Sequence, residues 1–250
     1  MHRLVLFRKT LLLTTLSLIF VTNALAQSGG PPSAQPRRAR LVRAFIIDDR
    51  LSALRREPDM QSEVMQRLRL GRPVYLIKSK GGKDYRPPFY RVAVTRRTRG
   101  WIHEAALAMP ERAGEDVRIM KLIEGARDGL DRIALCRFFI EHFKRSPLAP
   151  RALLAIAEES DRAATALTRR ARTRLANLKD NDNGVGLRDY YLSDVGLDRY
   201  SRLGIKFDFN EASAQYVYNG DAYRELIKRF PNADEAARAR KRMEQKIAQR

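Results

Sequence analysis

The sequence predicts a multidomain α+β chain: a small, strongly bent β-barrel followed by an α-helical domain that carries a short β-hairpin insertion. Three observations carry this. Across residues 41–110, short runs alternate apolar and charged residues, as in Tyr90, Val92 and Val94 against Arg91 and Thr95, which gives each strand one buried and one wet face. From residue 111 onward apolar residues recur at three and four, the spacing of one helix face. Between about 205 and 218 the alternation returns, with Phe207 and Phe209 set against Tyr216 and Tyr218.

In chain order, residues 1–26 read as a secretory signal peptide. Arg3, Arg8 and Lys9 precede an apolar run, and Ala24-Leu25-Ala26 supplies the small-x-small cleavage signal before Gln27. The apolar run is shorter than the roughly 20 residues a spanning helix needs, and no cysteine lies near the cleavage point to be lipidated. The mature chain is therefore expected to be periplasmic or secreted, without a transmembrane segment. Residues 27–40, with Gly29-Gly30-Pro31-Pro32 and then Arg37, Arg38 and Arg40, lack periodicity and read as a flexible basic linker.

The barrel region offers Phe45-Ile46-Ile47 as its first strand and Asp48-Asp49-Arg50 as the turn after it. Ala53-Leu54-Arg55, the run from Val64 to Leu68, Val74-Tyr75-Leu76-Ile77 and Tyr90 to Val94 follow, and Gly100-Trp101-Ile102 closes the series. Several strands this short leave costly open edges, and a bent barrel removes them. The Gly-Trp-aliphatic string, followed by the short helical turn His103-Glu104-Ala105-Ala106-Leu107, resembles the last strand of bacterial SH3-like (SH3b) domains. The family's Leu-Asn-Val-Arg strand is replaced here by Ala53-Leu54-Arg55-Arg56-Glu57-Pro58, so a contact made by that Asn is not carried over. The resemblance implies a binding module, and in some such modules peptidoglycan peptide lies across an aromatic surface. The candidate ligand-binding residues are Tyr85, Tyr90 and Trp101; the alternative is that Tyr90 and Trp101 are core rings, burying ~150–250 Å² each. The basic loop from Lys80 to Phe89 displays Tyr85 and Phe89 near positive charge, a composition suited to recognition.

Residues 111–250 are read as the helical domain. Val117, Met120 and Ile123 mark one helix; Leu130, Ile133, Phe139, Ile140 and Phe143 mark the next. Ser146-Pro147 starts a third through Leu153, Leu154 and Ile156, and a further helix spans about 162–178. Sliding the chain by 87 positions places Phe139-Ile140 on Leu226-Ile227, Phe143 on Phe230, Ala149 on Ala236 and Ala152 on Ala239. Asn232 and Glu235 suit a capping box for the second copy. The string Tyr223-Arg224-Glu225-Leu226-Ile227-Lys228-Arg229-Phe230-Pro231-Asn232 with Ala236-Ala237-Arg238-Ala239 resembles tetratricopeptide-like repeats of periplasmic proteins, in which Ala lets paired helices approach closely. Between the copies lie the loop Asp180-Asn181-Asp182-Asn183-Gly184, a helix through Tyr190, Tyr191, Val195, Leu197, Tyr200 and Leu203, and the hairpin. The hairpin's aromatic face either packs on the helices or serves a partner.

No pattern of catalysis or cofactor binding emerges. Counted from Asp180, the EF-hand positions that need Gly and Glu hold Val185 and Tyr191. His103 and His142 stand alone, and there is no Gly-rich phosphate loop or Gly-x-Ser-x-Gly elbow. Cys136, the single cysteine, sits in an apolar helical run and reads as a buried, inert thiol that forms no internal disulfide. Cleavage of the signal removes three positive charges and no negative ones from a net charge of +20. The remaining field favours anionic partners without specifying nucleic acid, unless the arginines only solvate helix faces. The expected function is noncatalytic: an SH3-like domain recognising cell-wall peptidoglycan or an envelope protein, and a helical domain docking a protein partner. The alternative is a cell-envelope enzyme, such as a peptidoglycan hydrolase or its accessory subunit.

Overall fold

The computed structural model describes residues 42–77, 85–177 and 187–248. The signal segment with its Ala26/Gln27 cleavage point, the linker 27–40, most of the basic loop before Tyr85 and the Asp180 loop fall outside the described residues. The stretch Leu41–Arg250 forms one compact unit, and it is mixed α+β.

Its first part is an antiparallel sheet of β1 (Val42–Ile46), β2 (Ala53–Arg55), β3 (Val64–Arg67), β4 (Pro73–Leu76), β5 (Tyr85–Arg86), β6 (Phe89–Ala93), β7 (Arg99–His103) and β8 (Leu107–Ala108). Seven strands run in the order β3-β2-β7-β6-β4-β1-β8, and β5 adds to β6. The last strand thus returns beside the first. Among the described residues β3 and β8 are the ends of the path and do not pair, so the sheet is open where the sequence predicted a closed barrel. Between β7 and β8 a 3₁₀ turn, Glu104–Ala106, is capped by His103, whose Nδ1 accepts from the Ala105 N–H at 3.2 Å.

One face of this sheet carries its own core, built on Ala44, Ile46, Leu54, Val74, Leu76, Val92 and Ile102. Gly100 is needed where β7 runs close against β2. A Cβ there would lie 2.7 Å from the Arg55 carbonyl oxygen and 2.8 Å from the Leu54 side chain, distances no methyl tolerates.

β1 and β8 are buried on both faces, which accounts for the unbroken apolar runs Ala44-Phe45-Ile46-Ile47 and Ala106-Leu107-Ala108-Met109. Ala44, Ile46, Leu107 and Met109 face the sheet core, whereas Phe45, Ile47 and Ala108 belong to the core of the helices. The Phe45 ring lies 5.6 Å from Phe138 and 4.0 Å from His142.

The helices are α1 (Glu115–Gly125), α2 (Gly129–His142), α3 (Ala149–Asn177), α4 (Leu187–Leu192), α5 (Val195–Ser201), α6 (Asp221–Arg229) and α7 (Asp234–Ala248), with the hairpin β9 (Phe207–Asn210) and β10 (Gln215–Tyr218) before α6. On α1 the buried face is Ile119, Met120 and Ile123, while Val117, expected in it, is 48 % exposed. Where two helices were expected over 149–178 there is one of 29 residues. The polar run Glu158-Glu159-Ser160-Asp161 does not break it, because the inward groups find partners. Ser160 donates to the Ile156 carbonyl, Glu159 takes Arg132 and Arg162, and Asp161 takes Tyr223, Arg242 and Lys246. Conversely, the helix expected through Tyr190 and Leu203 is two. Asp194 accepts from the Gly196 N–H at 2.7 Å and starts α5 afresh, the competition that makes Asp a capping residue.

The two copies of the internal repeat turn alike. The Phe143 N–H bonds the Phe139 carbonyl and Phe230 that of Leu226; Ser146 bonds Phe143 and Ala233 bonds Phe230; Ala149 bonds Ser146 and Ala236 bonds Ala233. Ala149, Ala152, Ala236 and Ala239 are all fully buried. Among the described residues no Asn232–Glu235 capping box is seen: α7 begins at Asp234, one residue later than the box requires, and its first turn is closed by the Ala236 N–H bond to the Ala233 carbonyl. In the first copy the Ser146 hydroxyl accepts from Leu148 and donates to Asp116 of α1, and α3 begins at Ala149 rather than at Pro147.

The hairpin packs on the helices. Tyr216 pairs with Phe209 and Tyr218 with Phe207, and both tyrosines are buried. The Tyr216 N–H donates to Thr168 of α3, and the Tyr218 hydroxyl accepts from the Ala222 N–H.

Candidate functional site

The sheet face opposite its core holds the exposed chemistry of this part of the molecule. Antiparallel register fixes which side chains share that face. Arg55 of β2 and Arg91 of β6 lie opposite Trp101 of β7 on its two sides. In the next row Arg99 faces Ala93, Ala93 faces Tyr75 of β4, and Tyr75 faces Arg43 of β1. These two rows carry two aromatic rings, four arginines and no carboxylate.

Trp101 is half-buried and Tyr75 is 38 % exposed. They stand two strands apart, roughly 10 Å, with the small side chain of Ala93 beside Tyr75, so the surface between them is shallow. Two of the four arginines are held in place: Arg55 donates to the Ser62 carbonyl at 2.7 Å, and the Arg43 guanidinium lies 4.7 Å from the Phe45 ring centre. Such a surface offers ring faces for stacking and forked N–H donors for carboxylate or phosphate.

The three aromatic residues singled out in the sequence do not converge. Trp101 is on this outer face. Tyr90 pairs with Ile102 and packs against the sheet core, so it points the other way. Tyr85 is placed as a backbone position opposite Tyr90, its side chain lies outside the described residues, and Phe89, expected to be displayed beside it, is buried against the His103 ring. Tyr75, Arg43, Arg55, Arg91 and Arg99 were missed. Their signal was present as the polar phase of neighbouring alternating strands, but only the strand order places those phases side by side.

Several titratable groups elsewhere serve structure. Burial pushes the Cys136 thiol up to about 12, which removes it as a nucleophile at neutral pH. His142, between Phe45 and Phe138, has its pKa lowered, first by burial. Buried Glu115 accepts from the Met109 N–H and pairs with Arg118, which also donates to the Leu107 carbonyl; this cluster ties α1 to β8. A cavity of about 650 Å³ lies beside it, where the β8–α1 loop meets the α2–α3 turn. Glu111, Asp116 and Glu141 balance Arg112, Lys144 and Arg145 in its walls, so it has no net preference for either sign. Among the described residues no group of three or more His, Cys, Asp or Glu is placed to hold a metal ion, and no helix is long and apolar enough to cross a membrane.

No protein-family model matches the chain, and neither the curated proteins nor the solved structures contain a significant match to it.

Proposed function

We propose that this is a noncatalytic extracytoplasmic binding and scaffold protein. In this reading the sheet is an SH3-like module that recognises a cell-wall or envelope-protein ligand, and the helices are a tetratricopeptide-like unit that docks a protein partner. The observation that carries it is the outer sheet face, where Trp101 and Tyr75 are presented among four arginines with no acid in either row. A surface of that composition suits an anionic ligand with flat or apolar groups, and wall peptides bearing free carboxylates meet the description. The SH3-like part of the reading is supported by the close approach of β2 to Gly100 in the Gly-Trp-aliphatic string. The tetratricopeptide-like part is supported by the matching turns of the two repeat copies.

The test is retention of the full mature chain on insoluble peptidoglycan. The parent is expected in the pellet without release of soluble muropeptides, and Trp101→Ala in the supernatant with its circular dichroism unchanged. Equal retention of both proteins would remove the sheet face as the site. Release of muropeptides by the parent would replace the noncatalytic reading with that of an envelope enzyme.

A further inference from the structure

A second surface lies on the helices, and its chemistry specifies the partner that the proposed function leaves open. Arg238, Lys241, Arg242 and Gln245 recur on α7 at one helical face; Leu154, Glu158, Asp161 and Arg162 do so on α3. The two stripes form the walls of a groove of about 450 Å³, with Tyr223 of α6 also lining it.

Its charge is unbalanced. Four cations face two carboxylates, and both carboxylates are already engaged. Asp161 is largely buried and takes the Tyr223 hydroxyl at 3.0 Å, Arg242 Nε at 2.9 Å and Lys246 Nζ at 2.5 Å. Glu158 takes Arg238 at 2.8 Å. Arg162 is held at 3.1 Å by Glu159, which lies behind it and is also bound by Arg132. Arg162 also lies 4.0 Å from Glu158, and Arg242 donates to the Gln245 side chain at 3.4 Å; because a guanidinium has five N–H donors, each arginine still keeps donors beyond those engaged. Among the described residues Lys241 is paired with no carboxylate.

Anchored forks around a concave surface lose little freedom on binding an anion, and buried Leu154 and Tyr223 give its floor apolar ground. The chain's own basic segment, with Arg37, Arg38 and Arg40, has the wrong sign to fill it. We propose that the groove between α3 and α7 is the docking site for an acidic segment of a protein partner, whose carboxylates are received by Arg162, Arg238, Lys241 and Arg242. This rests on the scaffold reading for the helices and is independent of what the sheet binds.

The test uses the full mature chain and a fluorescent oligo-glutamate peptide, read by anisotropy at about 0.15 M salt, where long-range attraction is screened. Saturable binding is expected, with none for a length-matched oligo-glutamine. Lys241→Glu is expected to weaken it roughly tenfold or more, since it replaces an attraction by a like-charge contact. Lys228→Glu, an equal charge change on exposed α6 surface outside the groove, is expected to leave it unchanged. Absence of oligo-glutamate binding, or equal weakening by the two variants, would overturn the proposal. So would a loss caused by Trp101→Ala, which would move the site to the sheet. Peptidoglycan retention of Lys241→Glu, measured in parallel, is expected to equal the parent's, and this separates failure here from failure at the sheet face.

Discussion

At the scale of single residues, the string Gly100-Trp101-Ile102 divides into three roles. Ile102 is fully buried in the sheet core, Gly100 admits β2, and Trp101 looks outward. Gly100→Ala therefore has nowhere to put its methyl, and the backbone oxygen of Arg55 must move. A loss of ~1–3 kcal/mol in urea unfolding is expected, the range for forced overpacking. Trp101→Ala is expected to cost less than Gly100→Ala, because its ring is only half withdrawn from water. The opposite ranking would return Trp101 to the core, where the sequence alone allowed it. His142 makes a separate prediction. Burial between Phe45 and Phe138 and the nearby charges of Arg43 and Lys144 lower its pKa from 6.5, against the opposing pull of Glu141. On acidification the unfolded chain then takes up the proton first, so the stabilisation is complete above 6.5 and is lost as pH falls through that value towards the folded pKa. His142→Phe keeps a ring in the stack and removes the titration. Its stability relative to the parent should rise between about pH 7.5 and pH 5; a constant difference would show that His142 titrates alike in both states.

At the scale of elements, the legible features were those with local causes. Alternation marked the strands and the hairpin register, and Phe143 and Phe230 marked the equivalent helix ends, where the structure puts matching hydrogen bonds. What could not be read depended on distant partners. Two helices were expected on either side of Glu159, but Glu159 is held within one by Arg132 of α2, which also donates to the Ile123 carbonyl of α1 and to that of Ala126 just after it. Val117 fits the apolar period of α1 and still faces water, because the neighbouring helix covers Ile119 and Met120 instead. For the candidate site, the sequence grouped Trp101 with Tyr90, but Trp101 lies on the outer face and Tyr90 packs on the core side, since one residue of phase decides between opposite faces. The element that tests the repeat is the pair α6–α7. Ala236 and Ala239 are fully buried, and Lys246 reaches the Tyr218 carbonyl and Asp161. Truncation after Gly220 removes this cover from Tyr218 and leaves Asp161 without its three donors, an uncompensated partly buried charge. The truncated chain should melt lower and self-associate in size-exclusion chromatography; an unchanged Tm and a monomeric profile would make the pair a detachable arm.

At the scale of the whole molecule, the sequence changes period near residue 110, but the packing does not stop there. Phe45, Ile47 and Ala108 come from the first and last strands of the sheet and complete the core of α2 and its neighbours. The Glu115–Arg118 pair clamps the backbone on either side of Ala108 through the Met109 N–H and the Leu107 carbonyl. Removal of the helices would expose the Phe45 ring, Ile47 and Ala108 along one edge of a small sheet, whose own core rests on about a dozen buried residues, an area too small to leave a wide margin of stability. The sheet is therefore expected to unfold together with the helices. Phe45→Ala places a cavity at the seam and should lower the stability of the whole chain by ~3–5 kcal/mol, the usual cost of deleting a buried aromatic ring. Two probes locate the loss: Trp101 fluorescence reports the sheet, and far-ultraviolet circular dichroism at the helical band reports the rest. In urea the two transitions should coincide in the parent and shift together in Phe45→Ala. If the fluorescence midpoint moved while the helical midpoint stayed, the seam would be a contact between independent domains, and the two proposed binding surfaces would be carried on separately folding parts.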